Sequence, residues 1–363
     1  MAVRPARELH PGAWWIWALG LAAAASVLTN PYLLLLEIAV AGFVVLLRRS
    51  DQPWAGSFRL YLALGIVIVV VRVAFRILVG GGVPGAGDTV LISLPQIPLP
   101  HWVLGIQLLG PVTAAAVLAG LYEGLRLATI VICVGAANSL ANPKRLLKSL
   151  PPALYEIGTT LVVAVSVLPQ LAESLQRVRR ARELRGGVEG RVGRLRRIVV
   201  PVLEDALERS LALAAGMDAR GYGRSGPAGR TQRRMTGVLL MAALVGVGVG
   251  SYGLLDHTAP RWMSTPMLVA GAALAIVGLW SSGRRVTRSR YRPERWRAEE
   301  IGVALSGACV AAGIIGFVTD PLVRDPDTYS APQIPALALI IVLLGLLPTV
   351  IAPRTYAVEA VPA

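Results

Sequence analysis

Of the chain's 363 residues, 55% are hydrophobic and only 16% are charged, which excludes an ordinary water-soluble domain. Lys and Arg number 36 against 21 Asp and Glu, and all but two of the 36 are Arg; in a membrane protein such an excess first serves to hold loops on the cytoplasmic side. Cys133 and Cys309 lie in apolar runs and read as small buried or lipid-facing side chains, while His10, His101 and His257 are isolated and show no metal-ligand spacing.

The apolar residues gather in blocks. Residues 14–28, 32–47, 60–79, 112–137, 237–255, 267–279, 301–318 and 336–351 are predicted as eight membrane-spanning helices. About 20 apolar residues cross the hydrocarbon, and a helix satisfies every backbone group within its own segment. The fold class is therefore all-α: a polytopic transmembrane helical protein with a cytoplasmic pair of helices. N-terminal spans occupy 1–172, the cytoplasmic insert 173–235 and C-terminal spans 236–363.

Orientation follows the basic residues. Arg4 and Arg7 precede the first block and Arg48-Arg49 follow the second, so the first two spans form a hairpin with both ends inside. The third span leads out to residues 80–100, which carry no Lys or Arg and are rich in Gly and Pro. Between 101 and 172 the chain must cross an odd number of times. One long helix through 112–137 suffices, with 143–172 at the inner interface or within the coupling region; three crossings would also fit but require Glu123 and Arg126 in a very tight turn. On that helix Glu123 and Arg126 are three apart and pair on one face. Arg72 and Arg76 lie near the end of the third span, where long side chains snorkel to the interface. Beyond the insert, Arg233-Arg234, Arg284-Arg285 and Arg354 mark the inside, and Asp320, Asp325 and Asp327 mark an outer loop over 319–332. Both termini are then cytoplasmic, in a cell inner membrane.

The insert over 173–235 holds fifteen Arg and seven acids. Two helices are legible in it. One starts near Gln170 and stops at Gly186-Gly187. The other starts near Arg197, places Pro201 in its first turns and stops at Gly221. Val199, Leu203, Ala206, Ser210, Leu213 and Met217 recur every three or four residues and mark one face. Each helix ends in a small or aliphatic residue, then Arg, then Gly: Leu184-Arg185-Gly186 and Ala219-Arg220-Gly221. Arg at a helix end complements the dipole. Two such ends in one insert also look like a pair of studs, since a guanidinium offers a rigid fork of donors to carboxylates or carbonyls.

At these residues the sequence resembles the T-component of energy-coupling factor transporters, whose signature is two Ala-Arg-Gly motifs at the ends of cytoplasmic coupling helices. Ala219-Arg220-Gly221 looks like the second motif intact; in the first, Leu184 replaces Ala. Leu9-His10-Pro11, Asn30-Pro31, and Asn142-Pro143-Lys144-Arg145-Leu146-Leu147 leading into Leu168-Pro169 are similar to the family pattern. The resemblance covers roughly 9–255, and the spans after about Met263 look like an extension. It implies a scaffold of an ATP-driven importer, with two cytoplasmic ABC ATPase subunits, a substrate-binding integral membrane subunit and membrane lipids as partners, and no nucleic acid, cofactor, metal or catalytic residue of its own. Cobalt or a vitamin is the implied cargo, chosen by the substrate-binding subunit.

Independently, no phosphate-binding loop is present. Such a loop needs a Gly-rich turn closed by Lys, and the two lysines, Lys144 and Lys148, follow Pro and Leu. Gly80-Gly81-Gly82 and Gly246, Gly248 and Gly250 read as external turns or close helix packing. Two other classes remain open. A membrane enzyme acting on a lipid-linked substrate needs clustered acids, and the clusters are Asp320 to Asp327 and Glu204-Asp205 with Glu208. A stand-alone carrier places ionisable groups within spans, with Arg72, Arg76, Glu123 and Arg126 as candidates.

Overall fold

Local chemistry fixes where the first helices begin. The His10 ring accepts a bond from the Gly12 amide at 3.1 Å, and Pro11 opens helix α1, Pro11–Ser26. Asn30 repeats the device: its Oδ1 accepts from the Tyr32 amide at 3.2 Å, and Pro31 opens α2, Pro31–Arg48. Proline suits that position because its missing N–H would have no partner there. The computed structural model describes residues 8–50, 56–79, 88–95, 109–149, 155–185, 191–222, 230–256, 258, 260–283, 296–329 and 331–353.

The remaining elements are α3 (Phe58–Val79), β1 (Val90–Ser93), β2 (Pro111–Thr113), α4 (Ala114–Leu140), α5 (Pro143–Lys148), α6 (Tyr155–Arg185), α7 (Arg191–Ala219), α8 (Arg230–Leu255), α9 (Thr265–Gly283), α10 (Ala298–Phe317), α11 (Pro321–Arg324), α12 (Ala336–Leu343) and α13 (Pro348–Ile351). They form two compact units, one from Met1–Leu146 with Glu294–Ala363 and one from Leu147–Pro293.

In the first unit α1 packs between α10 and α4 and is buried nearly all round, with Trp17, Leu21 and Ala24 fully enclosed. Close approach to α10 depends on paired glycines. A Cβ on Gly20 would lie 2.3 Å from the Gly307 carbonyl oxygen, and one on Gly307 would lie 2.4 Å from Trp17 Cα. Small residues at such crossings let helix backbones touch. Trp17 Nε1 also donates to the Gly345 carbonyl at 3.1 Å. The last helices are thus built into the core of this unit. Asn30 adds a second tie, its amide donating to the Val323 and Gln333 carbonyls at 3.2 and 2.9 Å. Helices α3 and α4 form a hairpin in which a Cβ on Gly135 would meet the Tyr61 ring at 2.3 Å.

Among the described residues, seven helices are long and apolar enough to cross a membrane: α2, α3, α4, Ile157–Ala181 within α6, Arg234–Leu255, Arg261–Gly283 and α10. The helix expected over 112–137 is α4, which begins two residues later because 112 and 113 belong to β2. The stretch 336–351 is shorter, and α1 has 16 residues. The departures lie elsewhere. Helix α6 starts at Tyr155, not near Gln170, so an apolar half and an Arg-rich half form one helix through Pro169. Helix α7 starts at Arg191, which puts Pro201 in its interior, where the missing N–H leaves the Arg197 carbonyl without its usual donor. Antiparallel β1 and β2 are the only strands among the described residues. In the second unit α8 and α9 form a hairpin through Gly246 against Gly271 and Gly250 against Leu268, while Gly248 faces open space.

Candidate coupling site

The second arginine motif is a formed helix stop. Ala219 is the last residue of α7, and Gly221 adopts φ 73°. At that angle an L side chain is strained, which explains glycine there. The Gly221 amide donates to the Asp218 carbonyl at 2.9 Å and the Tyr222 amide to the Met217 carbonyl at 3.0 Å. These two bonds close the end of the helix in the manner of a Schellman motif. Ala219 and Arg220 are exposed. The chain therefore turns sharply after Arg220 and leaves the guanidinium at a helix tip, beside small residues.

The first motif flanks the same helix on its other side. Leu184 is 90% exposed, so the side chain that replaces alanine there presents itself to whatever covers this end. Arg185 is the last residue of α6; its side chain and Gly186 fall outside the described residues. Between the two motifs lies α7, whose 29 residues span roughly 43 Å at 1.5 Å each. The structure thus separates the two arginines by a helix length instead of bringing them to one point.

One carboxylate joins the two helices. Asp205 on α7 accepts from Ser174 Oγ of α6 at 2.6 Å and from Arg209 Nε at 2.9 Å. The Ser174 bond, then Arg209, holds its carboxyl below the ordinary range. Many of the described apolar side chains of α7 are sparsely covered. Val199, Leu203, Leu207, Leu211 and Leu213 are exposed, and of the predicted face only Ala206 and Met217 are half-buried. Glu204 and Glu208 are exposed neighbours on this helix.

The charges expected within spans pair differently from the expectation. Glu123 does not meet Arg126. It takes an ion pair from Arg72 of α3, with Nε at 3.0 Å, and Arg126 donates to the Ser26 carbonyl at the end of α1. Spacing along one helix favours the local pair, but packing of α3 on α4 supplies a better partner. The family-like stretches at the start of α1 and the start of α5 meet, through Arg145 Nη1 on Glu8 at 2.8 Å. No group of three or more His, Cys, Asp or Glu able to hold a metal occurs among the described residues.

Sequence reasoning missed Glu37. It lies within α2, fully buried, and neither carboxyl oxygen has a hydrogen-bond partner among the described residues. A lone acid inside the run Pro31 to Gly42 was the available signal, since an ionisable residue in a span is costly.

Long apolar helices of this number and length define a polytopic membrane protein. Comparison with known families gives the particular one: the chain belongs to the CbiQ family of cobalt transport proteins, whose family model matches residues 2–232. It is a membrane transport component. Comparison with curated proteins finds no match.

Proposed function

We propose that this chain is the transmembrane coupling subunit of an ATP-driven importer of the energy-coupling factor type. It passes conformational change from two cytoplasmic ABC ATPase subunits to a separate substrate-binding membrane subunit, and has no catalytic residue of its own. The observation that carries this reading is the exposed Arg220, set at the tip of α7 by the positive φ of Gly221, on a helix whose apolar side chains its own unit leaves open. Arg185, with Leu184 and Gly186, is the matching stud at the other end. A guanidinium at a helix tip fits a groove lined by carboxylates or carbonyls. Closure of the ATPases on ATP moves the two studs and tilts α6 and α7. The family's description points to cobalt ion as cargo.

In this reading residues 173–235 and both termini are cytoplasmic. The Arg48-Arg49 turn and the Arg-rich half of α6 then lie on one side, as the distribution of positive charge favours. Ile157–Ala181 accordingly runs along the inner face of the membrane, although it is long and apolar enough to cross.

The test is pull-down and transport with Arg185→Glu, Arg220→Glu and the double variant, with Arg196→Glu as a basic control in the same insert. A charged hydrogen bond lost from the interface weakens assembly by roughly 10- to 100-fold, so both single variants should lose partner and transport, and the control should not. If the motif variants behave like Arg196→Glu, the arginines serve only as helix-end and topogenic charges.

A further inference from the structure

The segment between α3 and α4 carries an apolar ribbon that stands exposed among the described residues. In β1, Val90, Leu91 and Ile92 are 46%, 58% and 60% exposed. Its one strand neighbour, β2, turns Val112 and Thr113 into the bundle, so β1 is the outward edge. From Thr89 to Val112 the sequence contains no Asp, Glu, Lys or Arg. In water such an uncharged, apolar edge invites pairing with other chains, and soluble proteins protect theirs with charge.

The level of this ribbon is fixed by its attachments. The Leu109 amide donates to the Leu78 carbonyl at 2.8 Å, the Ala114 amide donates to the Thr89 carbonyl at 3.0 Å, and Thr113 caps α4. Asp88, at the start of the ribbon, accepts from Tyr329 Oη. Helix α3 has 22 residues, or roughly 33 Å, close to the ~30 Å hydrocarbon thickness. Its end, where Leu78 holds the ribbon, therefore reaches the boundary between acyl chains and headgroups. The exposed Val71, Phe75 and Leu78 lead along the lipid-facing side of α3 up to that level.

We infer that the ribbon formed by β1 and β2 is an interfacial membrane anchor, with Val90, Leu91 and Ile92 immersed among phospholipid acyl chains just below the headgroups. Its open backbone edge finds donors and acceptors in headgroups and water at that depth, which the hydrocarbon centre could not provide. Lipid fits better than a protein partner because the strand offers no charge to set a register and continues the lipid-facing surface of α3. The inference does not depend on the coupling role.

Leu91→Cys and Ile92→Cys, each carrying a nitroxide label in a full-length chain with Cys133 and Cys309 replaced by Ala, test it in phosphatidylethanolamine–phosphatidylglycerol vesicles. Leu64→Cys in mid-α3 and Asp327→Cys supply the lipid and water references. Both ribbon labels should collide with oxygen several-fold more often than with a water-soluble nickel chelate, as at Leu64. Nickel collision at either position matching that at Asp327 places the ribbon in water and overturns the inference. Low collision with both reagents means a protein surface covers it, which overturns it equally.

Discussion

Helix α1 and helix α7 are of different kinds, although both carry glycine and small residues. In α1, Gly20 meets a backbone at a distance that admits no side chain, and the large residues around it are enclosed. In α7, Gly216 has nothing within 4 Å, and Leu203, Leu207 and Leu211 stand 60–62% exposed. The first helix is complete within its own chain. The second leaves its large apolar side chains open. A glycine in α1 is thus a packing requirement, and a glycine in α7 is a cost in helix propensity borne for another reason.

Substitutions sharpen this contrast. Gly307→Val should have the largest effect, because the new side chain meets Trp17 backbone on a helix that cannot retreat; a loss of about 3 kcal/mol, the upper end for overpacking, is expected. Thermal unfolding in detergent measures it, and an unchanged Tm would mean that α1 and α10 do not cross as closely as described. Glu37→Leu should act in the opposite direction, raising stability by about 1–3 kcal/mol, since it removes a buried carboxyl that lacks a partner. If Tm falls instead, Glu37 has a partner in the working state that its surroundings here do not supply. Gly216→Ala should stabilise α7 by only about 0.5–1 kcal/mol, read as slower amide exchange in that helix; destabilisation would show a neighbour at Gly216.

The smallest effect concerns pH. Asp205 has a depressed carboxyl, so its contribution is present above the unfolded pKa and is lost as pH falls through the lower folded value. Protection of the amides at the contact of α6 and α7, relative to their intrinsic exchange rates, should therefore fall as pH drops below about 4, the ordinary aspartate range. Ser174→Ala should remove much of that dependence, because Ser174 is the larger cause of the shift. A pH profile identical in wild type and Ser174→Ala would separate Asp205 from the contact.

How much of this was legible follows from the range of each cause. Gly221 acts through neighbouring atoms, so the helix stop was visible in the residues themselves; the Asn30 cap is equally local but was not read. Apolar blocks likewise announced most of the spans. The pairing of Arg72 with Glu123 was not visible, because spacing along α4 favoured Arg126 and only packing on α3 decides otherwise. The start of α6 was misplaced because Pro169 resembles a boundary, yet the helix passes through it. The strand Val90–Ser93 was hidden in a short apolar run whose partner lies beyond a long connection. At Ala219-Arg220-Gly221 the helix stop was readable, because its cause lies in the glycine itself.

The pairing of Gly20 with Gly307 has a consequence for synthesis. The first unit is assembled from the two ends of the chain, and the whole of Leu147–Pro293 emerges between them. Until α10 leaves the ribosome, the face of α1 around Trp17 and Gly20 has no final neighbour and must be held by lipid or by the insertion machinery. The family match ends at residue 232, before that neighbour is made. A chain truncated there would retain both arginine motifs, yet it would lack the helix against which its first span closes. Premature termination should therefore be recognised by membrane quality control through the open side of α1.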